Sequence, residues 1–215
     1  MSEELYFSYG DKEVNWLKSK DKVLAEAIDQ IGHINRPINP NLFFSLVDCI
    51  VGQQISAKAH ATIRKRMQEK FGEELTPVSL VQASINDIQT CGMSIRKAEY
   101  IQTVANDVYG GKLDLAELVN MSDDEIKKRL VEIKGIGTWT AEMLMIFSLQ
   151  RPDILSYDDL AIIRGMRMLY HHRKITPQLF KKYFRRYTPY ATVASIYLWE
   201  ISTGRWGHVD LASKK

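Results

Sequence analysis

Two glycines, Gly135 and Gly137, separate two predicted helices in the middle of the chain. Glycine tolerates a positive φ and lets the backbone come close to a ligand. The second helix, from Thr138 to Leu149, would point its N-terminal amides outward, and such amides favour a bound anion such as a phosphate. The same pattern also occurs in a plain turn in which glycine ends the first helix. These residues alone leave both interpretations open.

Two adjacent carboxylates, Asp158 and Asp159, precede another predicted helix. Aspartate is a common N-cap because its side chain accepts hydrogen bonds from the first amides of a helix. By residue type alone, capping is the expected role for either carboxylate. His171 and His172 do not suggest a metal site, because adjacent residues on a helix point about 100° apart.

Helical spacing of apolar residues dominates the chain, whereas the alternation typical of strands is rare. Residues 42–53 are nearly all apolar and predict a buried helix. Ser56 and Gly72 are placed to begin and end the next helix, and Ser122 with Glu125 forms a capping box. Further helices are predicted from Ser94, from Thr138 to Leu149, after Asp159, and near 176–186 and 190–202. The sequence therefore predicts an all-α protein with about ten helices.

The composition fits an intracellular globular protein. The chain has 215 residues, 45% of them hydrophobic, and a formal net charge of +3. It carries no apolar run that could span a membrane and no signal-peptide pattern, so we expect an intracellular protein that is not secreted. The two cysteines, Cys49 and Cys91, cannot hold a four-thiolate cluster, and a disulfide framework is not expected.

The region around the two glycines resembles a known motif. Residues 132–144, EIKGIGTWTAEML, resemble the helix-hairpin-helix of the DNA glycosylase superfamily that also carries a Gly/Pro-rich loop and a downstream aspartate. The segment 155–165, LSYDDLAIIRG, lies where that aspartate is expected. The family's aspartate is followed five positions later by a basic residue, a spacing that Asp159 and Arg164 satisfy and Asp158 does not.

Three other segments match the alkylbase branch of this superfamily, often called 3-methyladenine DNA glycosylase II. They are IVGQQIS at 50–56, CGMSIRKAEYI at 91–101 and VASIYLWEISTG at 193–204. The resemblance runs from about Leu42 to Gly204 and implies excision of alkylated purines from duplex DNA during base excision repair. It also implies two helical subdomains with a DNA-binding cleft between them. We expect one subdomain at about 41–165, with the hairpin at 122–149, and a second formed by 1–40 and 166–215.

The resemblance gives Asp159 the catalytic role and leaves capping to Asp158. A carboxylate beside C1′ can stabilise the positive charge that develops on the sugar, and can orient or deprotonate a water. Trp139, Trp199 and Tyr157 are the candidates for an aromatic pocket that attracts a cationic alkylated base. Each of the three also fits an ordinary core aromatic.

The resemblance also implies residues that contact DNA at the hairpin and at two turns, namely Gly135, Gly137, Thr140, Gln53, Gln54 and Met93. The hairpin residues would hold a phosphate, and the turn residues would fill the gap that a flipped base leaves. Gln54 is polar, whereas relatives have an apolar side chain at this position, which acts as a wedge by filling the gap in the base stack. Met93 equally suits core filling.

Trp139 stands where lyase members of the superfamily have a lysine that forms a Schiff base, so we predict base excision without strand cleavage. No cofactor is expected. The resemblance allows a structural monovalent or divalent cation at the hairpin, held by the main-chain carbonyls of Val131, Ile133 and Ile136.

The predicted partner is damaged double-stranded DNA, bound by a monomer that does not associate with membranes. With such a partner, we expect a cytoplasmic (bacterial nucleoid) or nuclear location. One alternative is a glycosylase for another lesion: hypoxanthine, 8-oxoguanine or a mismatched base. A second is a non-catalytic helix-hairpin-helix protein that only clamps DNA. Asp159 discriminates against the clamp, because a carboxylate near phosphates would repel them.

Overall fold

The computed structural model describes residues 4–211, and within them all regular secondary structure is helical. The α-helices are, in chain order, α1 Asp11–Lys20, α2 Lys22–Ile31, α3 Leu42–Gly52, α4 Ala57–Phe71, α5 Pro77–Val81, α6 Ile85–Gln89, α7 Ile95–Tyr109, α8 Asp123–Val131, α9 Thr138–Phe147, α10 Leu160–Tyr170, α11 Pro177–Tyr187 and α12 Ala191–Ser202. A short 3-10 helix, Glu117–Asn120, lies between α7 and α8. The predicted all-α class is confirmed.

Short-range capping places most helix starts where the sequence predicts them. The hydroxyls of Ser56, Ser94 and Ser122 accept amide hydrogen bonds at the starts of α4, α7 and α8. Ser122 also completes the predicted capping box, since its own amide donates to Glu125 at 2.8 Å. These caps use partners three residues away, which is why they can be recognised without tertiary structure.

Two compact units divide the chain. The first contains the chain up to Ile38 and from Gln150 onward, and the second is Asn39–Leu149. The expected boundary near 165 differs from the observed one at 149/150. The segment after 150 belongs with α12, because the Ile154 amide donates to Thr192 Oγ1 at 2.9 Å and Ser195 Oγ donates to the Ile154 carbonyl at 2.9 Å.

The first unit is built around α12. This helix is apolar on almost every side, and all residues from Ala191 to Leu198 are buried. Helix α10 packs closely against it, since a Cβ at Gly165 would collide with the carbonyl oxygen of Leu198. Leu17 of α1 and Leu24 of α2 lie in the same core. The close contact of α10 with α12 fixes the start of α10 relative to Trp199.

In the second unit, fully buried side chains of α3, α4, α7 and α8 form the interior, among them Leu46, Met67, Ile101 and Ile126. Cys49 and Cys91 are both free thiols. Burial raises the pKa of the Cys49 thiol to about 12, which disfavours its reactive thiolate form. Among the described residues, every helix is too short or too polar to cross a membrane.

Candidate functional site

Asp159 is the N-cap of α10. Its Oδ1 accepts hydrogen bonds from the amides of Ala161 and Ile162, each at 2.9 Å, and the residue is 7% exposed. The prediction that Asp158 caps this helix is therefore wrong, because Asp159 does so and Asp158 is exposed. Since the cap occupies Oδ1, one carboxylate can both fix the helix start and keep a negative charge in place.

Arg36 lies beside Trp199, and its charge interacts with that of Asp159. The Arg36 guanidinium lies over the Trp199 ring, with Cζ 4.9 Å from the ring centroid. Burial lowers the pKa of Arg36, and the charges of Asp159 and Glu200 oppose that shift. The first unit therefore places a guanidinium over an aromatic face, and the charges of Asp159 and Glu200 act on that guanidinium.

Tyr157, two residues before Asp159, is tied to the segment that leads into α11. Its hydroxyl donates to the Ile175 carbonyl at 3.3 Å, and its ring packs edge-on against Phe180 with centroids 5.0 Å apart. The residue remains 40% exposed. Its hydroxyl thus has a structural partner, while part of its ring is still accessible.

The hairpin between α8 and α9 lies in the second unit. Gly135 has a φ of +93°, and a Cβ there would collide with the Tyr100 ring. Gly137, the N-cap of α9, is extended and has no atom within 4 Å of the place a Cβ would take. The first helical bond of α9 runs from the Ala141 amide to the Gly137 carbonyl at 3.1 Å, so the preceding amides lie outside that ladder.

The two glycines predict different responses to substitution. Gly135→Ala should destabilise the protein by about 1–3 kcal/mol, because it combines a positive φ with a collision against Tyr100. Gly137→Ala should change stability by less than about 0.5 kcal/mol, since its backbone is ordinary and its surroundings are open. Urea unfolding of both variants checks this. Equal losses of stability in the two variants would contradict the conclusion that Gly135 is sterically constrained and Gly137 is not.

Gln53 and Thr140 brace the hairpin from inside. Gln53 Nε2 donates to the Gly135 carbonyl at 3.1 Å and to Thr140 Oγ1 at 3.0 Å. Thr140 is 2% exposed, so its hydroxyl faces the protein interior. Any contact of Thr140 with a phosphate would therefore use its backbone amide.

The two turns predicted to supply wedge residues present them differently. Gln54 is exposed and has a φ of +55°. Met93 is only 8% exposed and follows Gly92, whose φ is +112°. The structure thus offers Gln54 to a ligand more readily than Met93.

Trp139 and the three predicted carbonyl ligands belong to the same hairpin. Trp139 is half-buried in the first turn of α9. The Ile133 carbonyl accepts the Ile136 amide at 3.0 Å. Val131 ends α8. A cation at these carbonyls stays a prediction.

Sequence reasoning missed two basic residues at these sites. Arg36 precedes the region of resemblance, and no local pattern marks it. Lys97 follows Ser94 in a recognisable motif, but its role depends on a distant contact. Its Nζ donates to the carbonyls of Val51 and Gln53 at 2.7 and 2.6 Å, which holds the turn that carries Gln54. Burial lowers the pKa of Lys97.

Comparison with protein families identifies the class. Residues 47–189 match the HhH-GPD superfamily of base excision DNA repair proteins. The chain belongs to this superfamily.

Individual relatives agree with the alkylbase branch. The chain is 34% identical to DNA-3-methyladenine glycosylase 1 of Schizosaccharomyces pombe over 161 residues, which cover 73% of this chain and 71% of the relative. A solved structure of a DNA-3-methyladenine glycosidase from Bacillus halodurans matches with a TM-score of 0.83 and 38% identity over 94% of both chains. An S. pombe 3-methyladenine DNA glycosylase in complex with abasic DNA matches with a TM-score of 0.81 and 29% identity, over 91% of this chain and 98% of that one. The predicted family and branch are confirmed.

Proposed function

We propose that this protein is a monofunctional DNA glycosylase that flips alkylated purines of the 3-methyladenine and 7-methylguanine type out of duplex DNA and hydrolyses their glycosidic bond. The observation that carries the proposal is the buried Asp159 carboxylate, held at the start of α10 in the same unit as Trp199. The names of two relatives refer to 3-methyladenine, one of these bases.

Asp159 would act on the sugar. As the C1′–N bond lengthens, positive charge develops on the deoxyribose ring, and a fixed carboxylate stabilises that charge. The same carboxylate can orient the attacking water or accept its proton. Hydrogen bonds from the Ala161 and Ile162 amides hold Oδ1 in place. The carboxylate therefore does not have to move when the transition state forms.

The base would be recognised by aromatic faces. Methylation at N3 or N7 makes a purine cationic, and an electron-rich ring attracts such a base through cation–π interaction and stacking. Trp199 is the first candidate, since it lies in the same unit as Asp159. Trp139 is the second candidate, and the accessible part of the Tyr157 ring is the third.

The hairpin would hold the DNA backbone. The open space at Gly137 and the N-terminal amides of α9 suit a phosphate oxygen, a contact that reads backbone shape and charge rather than base sequence. We assign the gap left by the flipped base to Gln54, since its side chain is exposed and its turn is held by Lys97. DNA is thus the partner, and we propose that a monomer binds it.

Trp139 supports hydrolysis without strand cleavage. The indole nitrogen of tryptophan is not a nucleophile that can form a Schiff base with the opened sugar. Hydrolysis by a carboxylate and water needs no cofactor. A cation at the carbonyls of Val131, Ile133 and Ile136 would support the hairpin and take no part in the reaction.

The experiment that tests the proposal uses methylated duplex DNA and purified protein. Released bases are identified by chromatography, and strands are sized before and after alkali. We expect methylated purines in the supernatant, strand breaks only after alkali, and no covalent adduct on borohydride treatment. Tight binding without base release would instead favour the non-catalytic clamp. Strand breaks without alkali would contradict the monofunctional assignment.

A further inference from the structure

Arg36 lies beside Trp199, the residue on which the proposed function stacks the base. Its guanidinium covers part of the Trp199 ring at 4.9 Å, and its charge interacts with Asp159 and Glu200. All four residues belong to the first unit. A base that stacks on Trp199 with its sugar beside Asp159 would therefore come within reach of a guanidinium.

The backbone that carries Arg36 is firmly held. The Phe7 amide donates to the Arg36 carbonyl at 2.8 Å, and the Ile38 amide donates to the Leu5 carbonyl at 2.9 Å. Phe7 itself is buried in the core of the unit. A short antiparallel pairing thus fixes the position from which the Arg36 side chain extends.

A fixed cation at this place affects two kinds of damaged purine in opposite ways. A purine methylated at N3 or N7 is already positive, leaves as a neutral base and is repelled by a nearby guanidinium. An uncharged purine must leave with the bonding electron pair, so negative charge develops on the base as the bond breaks. A guanidinium stabilises that charge, because it offers several donors in a rigid plane and no acceptor.

We propose that Arg36 determines substrate range by donating a hydrogen bond to the departing base, and thereby allows the site to release uncharged deaminated purines, with hypoxanthine as the representative. In this step the C1′–N9 bond breaks and its electron pair passes to the purine, where it spreads to O6 and N7. Arg36 donates to one of these atoms, water adds to C1′, and the proton of that water passes to Asp159. The inference rests on the proposed function, since it assumes that Asp159 and Trp199 flank the base.

The surroundings of Arg36 fit this role. Arg36 is only partly exposed, so its guanidinium is less hydrated than a fully exposed one. This burial lowers the pKa of Arg36, while the charges of Asp159 and Glu200 favour the charged form. A poorly hydrated donor gives up little water when it binds a base, and its interaction with a developing anion is stronger than in solvent. Glu200 is itself held by Trp206 Nε1 at 2.8 Å.

The test compares two duplexes, one with a single hypoxanthine and one with a single 7-methylguanine, under single-turnover conditions. Arg36→Gln should slow hypoxanthine release about 100-fold, the effect of losing one donor to a developing anion. Release of 7-methylguanine should be unchanged or faster. Arg36→Lys should restore part of the hypoxanthine activity because it restores the charge. The ratio of the two rates is independent of the folded fraction, so lost stability alone cannot produce this result.

Lys20→Gln is the matched control, since Lys20 Nζ also lies over a tryptophan, 4.3 Å from the ring centroid of Trp16. This variant should leave the ratio of hypoxanthine release to 7-methylguanine release unchanged. If Arg36→Gln slows both substrates equally, Arg36 is a structural residue and the inference is overturned. Wild-type release of 7-methylguanine without hypoxanthine also overturns it, while leaving the proposed function intact. Release of neither base overturns the proposed function and this inference with it.

Discussion

Asp159→Asn is expected to slow the release of methylated purines by about 100- to 1000-fold, with little change in stability. The loss follows from removing the negative charge that stabilises the developing sugar cation. Asparagine is as good an N-cap as aspartate, so its side-chain oxygen can keep the two bonds to the amides of Ala161 and Ile162. Single-turnover base release and urea unfolding measure the two effects separately.

Two further variants separate catalysis from capping. Asp159→Ala removes both the charge and the cap, so it should lose activity and also about 0.5–2 kcal/mol of stability. Asp158→Asn removes the neighbouring exposed carboxylate and should keep near-normal activity. If Asp159→Asn retained wild-type rates, Asp159 would be only a helix cap, and the assignment of the reaction to it would be wrong.

Asp21→Ala is expected to lower the free energy of unfolding by about 3–5 kcal/mol, the usual loss when one partner of a buried ion pair is removed. Asp21 is 3% exposed and caps α2 through bonds to the Val23 and Leu24 amides. Its other oxygen, Oδ2, accepts from Arg186 at 2.5 Å and from the Tyr170 hydroxyl at 2.9 Å. Removing this side chain therefore leaves partners on α10 and α11 without their acceptor.

Asp21→Asn separates the contribution of the helix cap from that of the ion pair. The amide oxygen can still cap α2, but the charge that pairs with Arg186 is gone, so the loss should fall between zero and that of Asp21→Ala. Burial raises the pKa of Tyr170, so its hydroxyl stays protonated as a donor. Urea unfolding of the two variants provides the comparison. A loss below about 1 kcal/mol in Asp21→Ala would show that solvent around the partly exposed Arg186 compensates for the network.

The Asp21 variants also provide a control on selectivity. Asp21 stabilises the start of α2 and its contacts with α10 and α11, whereas Arg36 lies beside Trp199. Asp21→Asn should therefore reduce the folded fraction without changing the ratio of hypoxanthine to 7-methylguanine release. A changed ratio would mean that the network also shapes the base pocket.

Local sequence was sufficient for most of the helices, whereas the resemblance to the family selected the catalytic candidate, whose role stays a proposal. The caps at Ser56, Ser94 and Ser122 depend on residues three positions away, so their signals are contained in the sequence itself. The hairpin around Gly135 is equally local, and several motifs in the same order led to the family. Asp159 was selected by its spacing from Arg164, but the prediction that Asp158 caps α10 was wrong.

Only the tertiary structure decided which partner each polar side chain takes. Gln53 and Thr140 were expected at DNA, yet they bond to each other across 87 positions of sequence. Arg36 gave no local signal, and its meaning depends on Trp199 and Asp159, which are distant along the chain. The sequence by itself determined the helices, the hairpin and the family, because these depend on short spacings and ordered motifs. Folding decided which side chains face one another, because that depends on how separate helices pack.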